Sequence, residues 1–321
     1  MKFHSSLLKK LNYRLQAWLL DRLARACHSA SLKTRKKLAD LLSFIAFRII
    51  KLRRRQVVES MQKHLELNLQ QAEELARKTY ASFLLNAFSM AGLKFMSDEE
   101  LKKMLRVEGF EHLQNALSRK KGVIIVSGHF GLWELVPPWL ALNGNEVTVV
   151  VRRQNNPYVD QWFEEMRNRH GARTTDSGFG IREILKSLRR GHILALMADQ
   201  DNGKQGIFIR FFNEWASAPT GPAQISLKTG APIVPLAGFP DFQNGHLLKI
   251  FAPLYPENYS EDLAGQQRLT SDYSRIIEKF IRQQPNNWFW LHRRWKTRPQ
   301  DAPENPWTQL ITGKQSNLHS A

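Results

Sequence analysis

The sequence predicts an α/β fold: a mostly parallel central sheet flanked by helices and preceded by an N-terminal helical region. Two textures, and their order, carry this prediction. Residues 1 to about 100 contain a single glycine and no proline, with helix starts such as QQAEELARK at 70–78. From Val107 onward short apolar runs alternate with helical stretches: GVIIVS (122–127), EVTVVV (146–151), HILALMA (192–198), APIVPLAGF (231–239) and LLKIFAPL (247–254). Strand and helix in alternation is the pattern of a sheet whose parallel neighbours are joined by crossover helices. Three segments follow: a helical region over 1–100, a sheet-containing domain over 101–299, and a tail over 300–321 that loses periodicity and reads as loose.

The first region is basic. Of the chain's 321 residues, the first 60 carry 15 Lys/Arg against 3 Asp/Glu, so +12 of the formal +18 charge sits there. Such a balance implies an anionic partner: nucleic acid, an anionic membrane surface or a polyanionic substrate. The region is also apolar in places, with AWLLDRL (17–23) and LLSFIAFRII (41–50). Its longest nearly apolar run, Leu41 to Phe47, is too short to span a bilayer, which takes about 18 residues or more. No apolar core followed by a small-residue cleavage site marks a secretory signal, so the expectation is a protein of the cytosolic compartment. Cys27 stands alone, which rules out an intramolecular disulfide and a cysteine metal cluster and leaves burial as its role.

Basic amphipathic helices that do not span lie in a membrane interface. Leu7, Leu11, Leu15, Trp18 and Leu19 are spaced for one helical face, and Arg53, Arg54 and Arg55 add a cationic cluster; Trp18 and the three arginines are therefore membrane-facing candidates. The same stripe also describes a helix packed on its own domain.

The run Val123–Val126 ends in Gly128 and is followed by His129, with Glu134 five positions on. Positions five apart lie about 140° apart around a helix axis, so the two side chains meet only if His129 lies in the turn before a helix. There the carboxylate would hold one ring nitrogen while the other takes a proton, which makes a general base with its orienting partner. In isolation, one such pair also describes a surface turn.

Arg152 and Arg153 follow the strand EVTVVV at the edge where open α/β sheets bind ligands; a solvated pair is the alternative. Asp199 and Asp201 in ADQD suggest a calcium loop, but the twelfth position from Asp199 is Arg210 where a bidentate glutamate is needed. No G-x-S-x-G elbow and no glycine-rich loop ending in Lys-Ser/Thr occurs, and GFGIRE lacks the third glycine of a dinucleotide fingerprint. The run NNWFWLHRRWKTRP (286–299) interleaves aromatics with Arg293, Arg294, Lys296, Arg298 and His292. It suits single-stranded nucleic acid, a membrane interface, or a terminal helix whose tryptophans pack on the core.

Taken together, GHFGLWE with its His-x4-Glu, VVRRQNNP, ADQD followed by FF and APTGPA, TGAPIVP, and WFWLHRRWKTRP resemble, in order and spacing from about Arg53 to Pro299, the lipid A biosynthesis acyltransferases of Gram-negative bacteria, within the lysophospholipid acyltransferase superfamily. The resemblance implies a glycerolipid-acyltransferase-like sheet and a reaction: transfer of a fatty acyl chain from an acyl carrier protein thioester to a hydroxyl of a lipid A precursor, at the cytoplasmic face of the inner membrane. It implies His129 as base with Glu134 behind it, and Arg152, Asn156, Asp199, Gln200, Arg294 and Arg298 as substrate-binding or oxyanion residues. Acyl-acyl carrier protein is then a co-substrate, with no metal, nucleotide or other cofactor and no nucleic acid partner; the acidic carrier protein, the lipid A precursor and the anionic membrane are the partners. The chain departs from the family in its short, charge-punctuated N-terminal apolar segment and in SMQKHLEL (60–67) where Asn-Leu usually follows the arginine cluster. An O-acyltransferase of the same mechanism acting on a lysophospholipid, glycolipid or aminolipid is the alternative, and a non-enzymatic binder of anionic membrane or nucleic acid is the reading from a different class.

Overall fold

The computed structural model describes residues 2–176 and 181–300, with side chains from Leu8 onward. Leu7 of the apolar stripe, the glycines of GFGIRE and the tail beyond residue 300 lie outside the described side chains. Five helices come first: α1 (Lys2–Ser29), α2 (Leu32–Phe44), α3 (Arg54–Leu65), α4 (Leu69–Ala91) and α5 (Asp98–Met104). Three of them start on side-chain caps. Ser31 accepts from the Thr34 amide, and Asn68 with Gln71, and Ser97 with Glu100, form reciprocal capping boxes. No helix among the described residues is long and apolar enough to cross a membrane.

The rest alternates: β1 (Leu105–Glu108), α6 (Phe110–Leu117), β2 (Val123–Ser127), α7 (Val136–Leu142), β3 (Val147–Val151), α8 (Pro157–Asn168), β4 (Arg173–Asp176), α9 (Ile181–Arg189), β5 (Ile193–Met197), β6 (Ile207–Phe211), β7 (Glu214–Ala218), α10 (Gly221–Thr229), β8 (Ile233–Phe239), β9 (His246–Ile250) and α11 (Leu263–Gln283). Seven strands form one sheet in the order β1-β9-β8-β2-β5-β3-β4, and β6 and β7 form a separate antiparallel hairpin. Every pairing in the large sheet is parallel except β8 with β9. The five apolar runs are β2, β3, β5, β8 and β9; β1, β4 and the hairpin went unread. At four residues each, β1 and β4 are edge strands with one partner, and RTTD in β4 is too polar to read as a strand.

Alternation along the strands divides the core into two layers. Ile124, Val126 and Leu194 face a layer built with Val57 and Met61 of α3, Ala76 of α4 and Ile277 of α11. Val123, Ile125, Ile193 and Ala195 face the other, with Leu113 of α6, Leu140 of α7 and Met166 of α8. The N-terminal helices contribute to both layers, since Ala24 of α1 belongs to the second. After α11 the chain is not helical as a terminal-helix reading expects: a 3-10 turn at Pro285–Asn287 leads into irregular backbone. Its Trp288 and Trp290 are buried in the core instead of facing a membrane.

Candidate active site

Two adjacent parallel strands position the central side chains. β2 pairs with β5 in register from Val123 with Ile193 to Ser127 with Met197, and the Ala198 amide donates to the Ser127 carbonyl at 2.9 Å just beyond. The next residues on the two chains, Gly128–His129 and Asp199, are therefore neighbours at the C-terminal end of the sheet, where α/β folds bind ligands. Gly128 permits the approach, because a Cβ there would stand 3.1 Å from Asp199 Oδ2. Gly131 is required for two reasons: its φ is +56°, and a Cβ would lie 2.1 Å from the Gly238 carbonyl oxygen.

Asp199 holds His129 twice. The His129 amide donates to Oδ2 at 2.7 Å, and ring Nδ1 lies 2.8 Å from Oδ1. The Trp288 indole N–H donates to Oδ2 at 2.8 Å. The Gln200 amide lies 3.3 Å from the same ring nitrogen. From the other side the C-terminal segment grips the turn: the Phe289 amide donates to the His129 carbonyl at 3.1 Å, and the Gly131 amide to the Asn287 carbonyl at 2.9 Å.

A buried carboxylate on Nδ1 selects the tautomer with its proton there and leaves Nε2 with a lone pair. The electrostatics agree. Burial disfavours the imidazolium, but the Asp199 charge and hydrogen bond, with a smaller contribution from Glu134, outweigh it and hold the His129 pKa above its ordinary value. Burial likewise pushes the Asp199 carboxyl up, yet the His129 charge and the hydrogen bonds from His129 and Trp288 hold it down at about 2.

The ring's hydrogen-bond partner is thus Asp199, and the expected contact of Glu134 with His129 is not made. Glu134 sits in the 3-10 turn Trp133–Leu135, and its carboxylate takes a bidentate ion pair with Arg167 of α8 at 2.9 and 2.7 Å. A guanidinium fork matches a carboxylate better than an imidazole edge does. Burial lowers the pKa of Arg167 but its Glu134 partner more than compensates, so the guanidinium stays charged.

His129, Trp133, Glu134, Arg152, Arg167 and Gln200 line a cavity of ≈ 620 Å³ over the sheet end. Most of its remaining wall is apolar: Leu20, Leu23 and Ala24 from α1, Phe88 from α4, and Trp162 and Phe163 from α8 among others. Cys27 is buried at this wall. A mostly apolar cleft with a few convergent polar groups has the form of a ligand-binding pocket.

The other expected site residues divide. Arg152 is exposed and lines the cavity, whereas its neighbour Arg153 is held by Asp160 and Glu164. Asn156 does not line the cavity. It is buried, its side-chain oxygen caps α8 by accepting from the Tyr158 and Val159 amides, and its nitrogen donates to the Tyr13 carbonyl and Gln16 of α1. Arg294 is fully buried, donates to the Ser217 carbonyl, lies over the Phe211 ring and does not line the cavity. Arg298 is held at 3.3 Å by Glu214, and it does not line the cavity. The arginine triplet is largely engaged within the protein: Arg53 with the Leu291 carbonyl, Arg54 with Glu73, and Arg55 with Glu59. Trp18, by contrast, is 54% exposed, in a row with Leu8, Leu11, Leu15, Leu19 and Leu23.

Sequence reading missed Arg167 and Trp288 as parts of the site. WFWLHRRW signalled a structured segment but not its indole donor, and nothing local marks Arg167.

Residues 1–297 match the sequence profile of the family described as bacterial lipid A biosynthesis acyltransferase. The chain belongs to this family. Among relatives of the lipid A acyltransferase chain, the lipid A biosynthesis lauroyltransferase of Escherichia coli (strain K12) is 24% identical over 74% of this chain and 77% of that protein. A lipid A biosynthesis acyltransferase of Haemophilus influenzae is 27% identical over 74% and 77%. The phosphatidylinositol mannoside acyltransferase of Mycolicibacterium smegmatis is 29% identical over 51% and 55%. Among solved structures, the 1-acyl-sn-glycerophosphate acyltransferase PlsC of Thermotoga maritima aligns at 14% identity and a TM-score of 0.39, covering 81% of this lipid A acyltransferase chain and all of that one.

Proposed function

We propose that this acyltransferase moves a fatty acyl chain from an acyl carrier protein thioester to a hydroxyl of a lipid A precursor, with His129 as general base and Asp199 as its orienting partner. The observation that carries this reading is the 2.8 Å contact of His129 Nδ1 with buried Asp199 at the wall of an apolar cavity. His129 Nε2 takes the hydroxyl proton as the oxygen attacks the thioester carbonyl carbon. The tetrahedral oxyanion collapses, the C–S bond breaks, and the imidazolium returns its proton to the leaving thiolate. The products are an ester and a free thiol, and His129 is neutral again. Asp199 stabilises the transient imidazolium. Gln200, beside the ring, and Arg152, on the cavity wall, are the donors for the oxyanion and for the acceptor's phosphates.

The exposed apolar row on α1, with Leu41, Phe44, Ile49 and Ile50 exposed at and beyond the end of α2, supports attachment at a membrane surface. The basic residues interspersed there favour the anionic inner-membrane face and the acidic carrier protein. Likeness to phosphatidylinositol mannoside acyltransferases supports a second acceptor class, a phosphorylated glycolipid, for the same chemistry.

The test is incubation of detergent-purified protein with acyl carrier protein thioesters and an under-acylated lipid A precursor, read by product mass. The expected result is a gain of one acyl chain that His129→Ala abolishes. A His129→Ala variant with the parent's turnover would overturn the mechanism. Gain on a phosphatidylinositol mannoside and none on the lipid A precursor would shift the acceptor to the second class.

A further inference from the structure

We infer that Trp288 is a positioning residue whose indole N–H fixes the Asp199 carboxylate in the plane that serves His129. The inference rests on the dyad reading above and adds a residue to it. Asp199 is 3% exposed, and its protein donors converge from three directions. Oδ1 faces His129 Nδ1, while Oδ2 accepts from the His129 amide at 2.7 Å and the Trp288 indole at 2.8 Å. Both contacts to His129 come from the residue being oriented; the indole is a donor from a separate segment, and it holds the carboxylate plane independently of the His129 ring and keeps Oδ1 aimed at it.

The indole is itself rigidly held. Trp288 is 2% exposed, meets the Trp290 ring edge-on with centroids 4.7 Å apart, and stacks on Phe212. Its backbone forms a bridge with Phe130, so that the segment carrying the donor is tied to the turn carrying His129. The same segment also clamps the second aspartate of ADQD. The Asp201 amide donates to His292 at 2.8 Å, and the Thr297 amide and hydroxyl donate to the Asp201 carboxylate at 3.1 and 3.0 Å. WFWLHRRWKT is thereby the brace that holds the ADQD loop against the His129 turn, and the indole is its point of contact with the chemistry.

The test replaces Trp288 by 3-benzothienylalanine, which exchanges the indole N–H for sulfur and keeps the ring shape. The expected result is a fall in kcat of about 10- to 100-fold, the range spanned by one hydrogen bond to a charged group, with KM little changed. Trp288→His, whose Nε2–H overlays the indole donor but lacks the second ring, is expected to exceed Trp288→Phe, which is bulkier and has no donor. In an Asp199→Asn background the sulfur analogue is expected to cause no further loss, since an effect exerted through Asp199 is already spent. Unchanged kcat in the analogue, Phe above His, or an equal fold-loss in both backgrounds would overturn the inference and leave the dyad intact. An Asp199→Asn variant with the parent's kcat would instead overturn the dyad reading itself.

Discussion

Removing Arg167 should destabilise the protein through Glu134. The two side chains are 13% and 17% exposed and joined by two hydrogen bonds, so Arg167→Met leaves a largely buried carboxylate without its ion-pair partner. Breaking a buried ion pair on one side costs about 3–5 kcal/mol. Because both groups retain some exposure, the lower end, about 3 kcal/mol, applies. Replacing both partners, Glu134→Gln with Arg167→Met, removes the stranded charge and should cost about 1 kcal/mol or less, so the double variant should be about 2 kcal/mol more stable than Arg167→Met alone. For a chain of this size, about 2 °C of melting temperature accompanies each kcal/mol. Thermal melts and urea titrations in detergent should therefore place the single variant about 6 °C below the parent and the double variant within about 2 °C of it. If the double variant is as unstable as the single one, the pair is not a unit and the assignment of Glu134 to Arg167 is wrong.

Three other outcomes follow from the geometry. Under the proposed mechanism the neutral ring is the base, and its pKa is raised, so kcat/KM should climb with pH along a limb centred above the ordinary 6.5 of histidine, and Asp199→Asn should move that limb down in a pH–rate profile. Gly131→Ala should lower stability by more than 1 kcal/mol and lower kcat, because it imposes strain at positive φ and pushes the His129 turn off Gly238; denaturation and turnover together check this. Buried His64, stacked on Trp295 at 3.5 Å, is held by burial at a pKa of about 3. The unfolded chain then binds a proton that the fold excludes, so stability should fall as pH drops from 6.5 toward 3, by up to about 1.4 kcal/mol per unit. His64→Phe should reduce the measured slope between pH 6 and 5 by the His64 share in denaturant titrations, leaving the part due to His246, which burial holds at about 4.

How the site differs from its sequence reading comes down to distance along the chain. GHFGLWE displays His129 and Glu134 together, and five residues of separation suggests a partnership. The partner that is present, Asp199, lies 70 residues on and becomes adjacent only because β5 inserts beside β2. Glu134 was free to be drawn elsewhere once α8 brought Arg167 to it, and that pairing is as invisible in the sequence as the approach of Trp288.

What the sequence determined by itself is whatever depends on local pattern: the helical first hundred residues, the apolar runs that became β2, β3, β5, β8 and β9, the placement of His129 in a turn after a buried strand, and the order of motifs that marks the family. These follow from periodicity and backbone preference within a few residues. Only the tertiary structure decided which charges meet. It spent Arg54, Arg153, Arg298 and Glu134 on ion pairs, buried Arg294, turned Asn156 into a helix cap and gave His129 to Asp199. The physical reason is that a side chain's partner is set by strand order and helix packing, which bring distant residues within 3 Å and screen them from water, and neither distance nor burial is encoded in spacing.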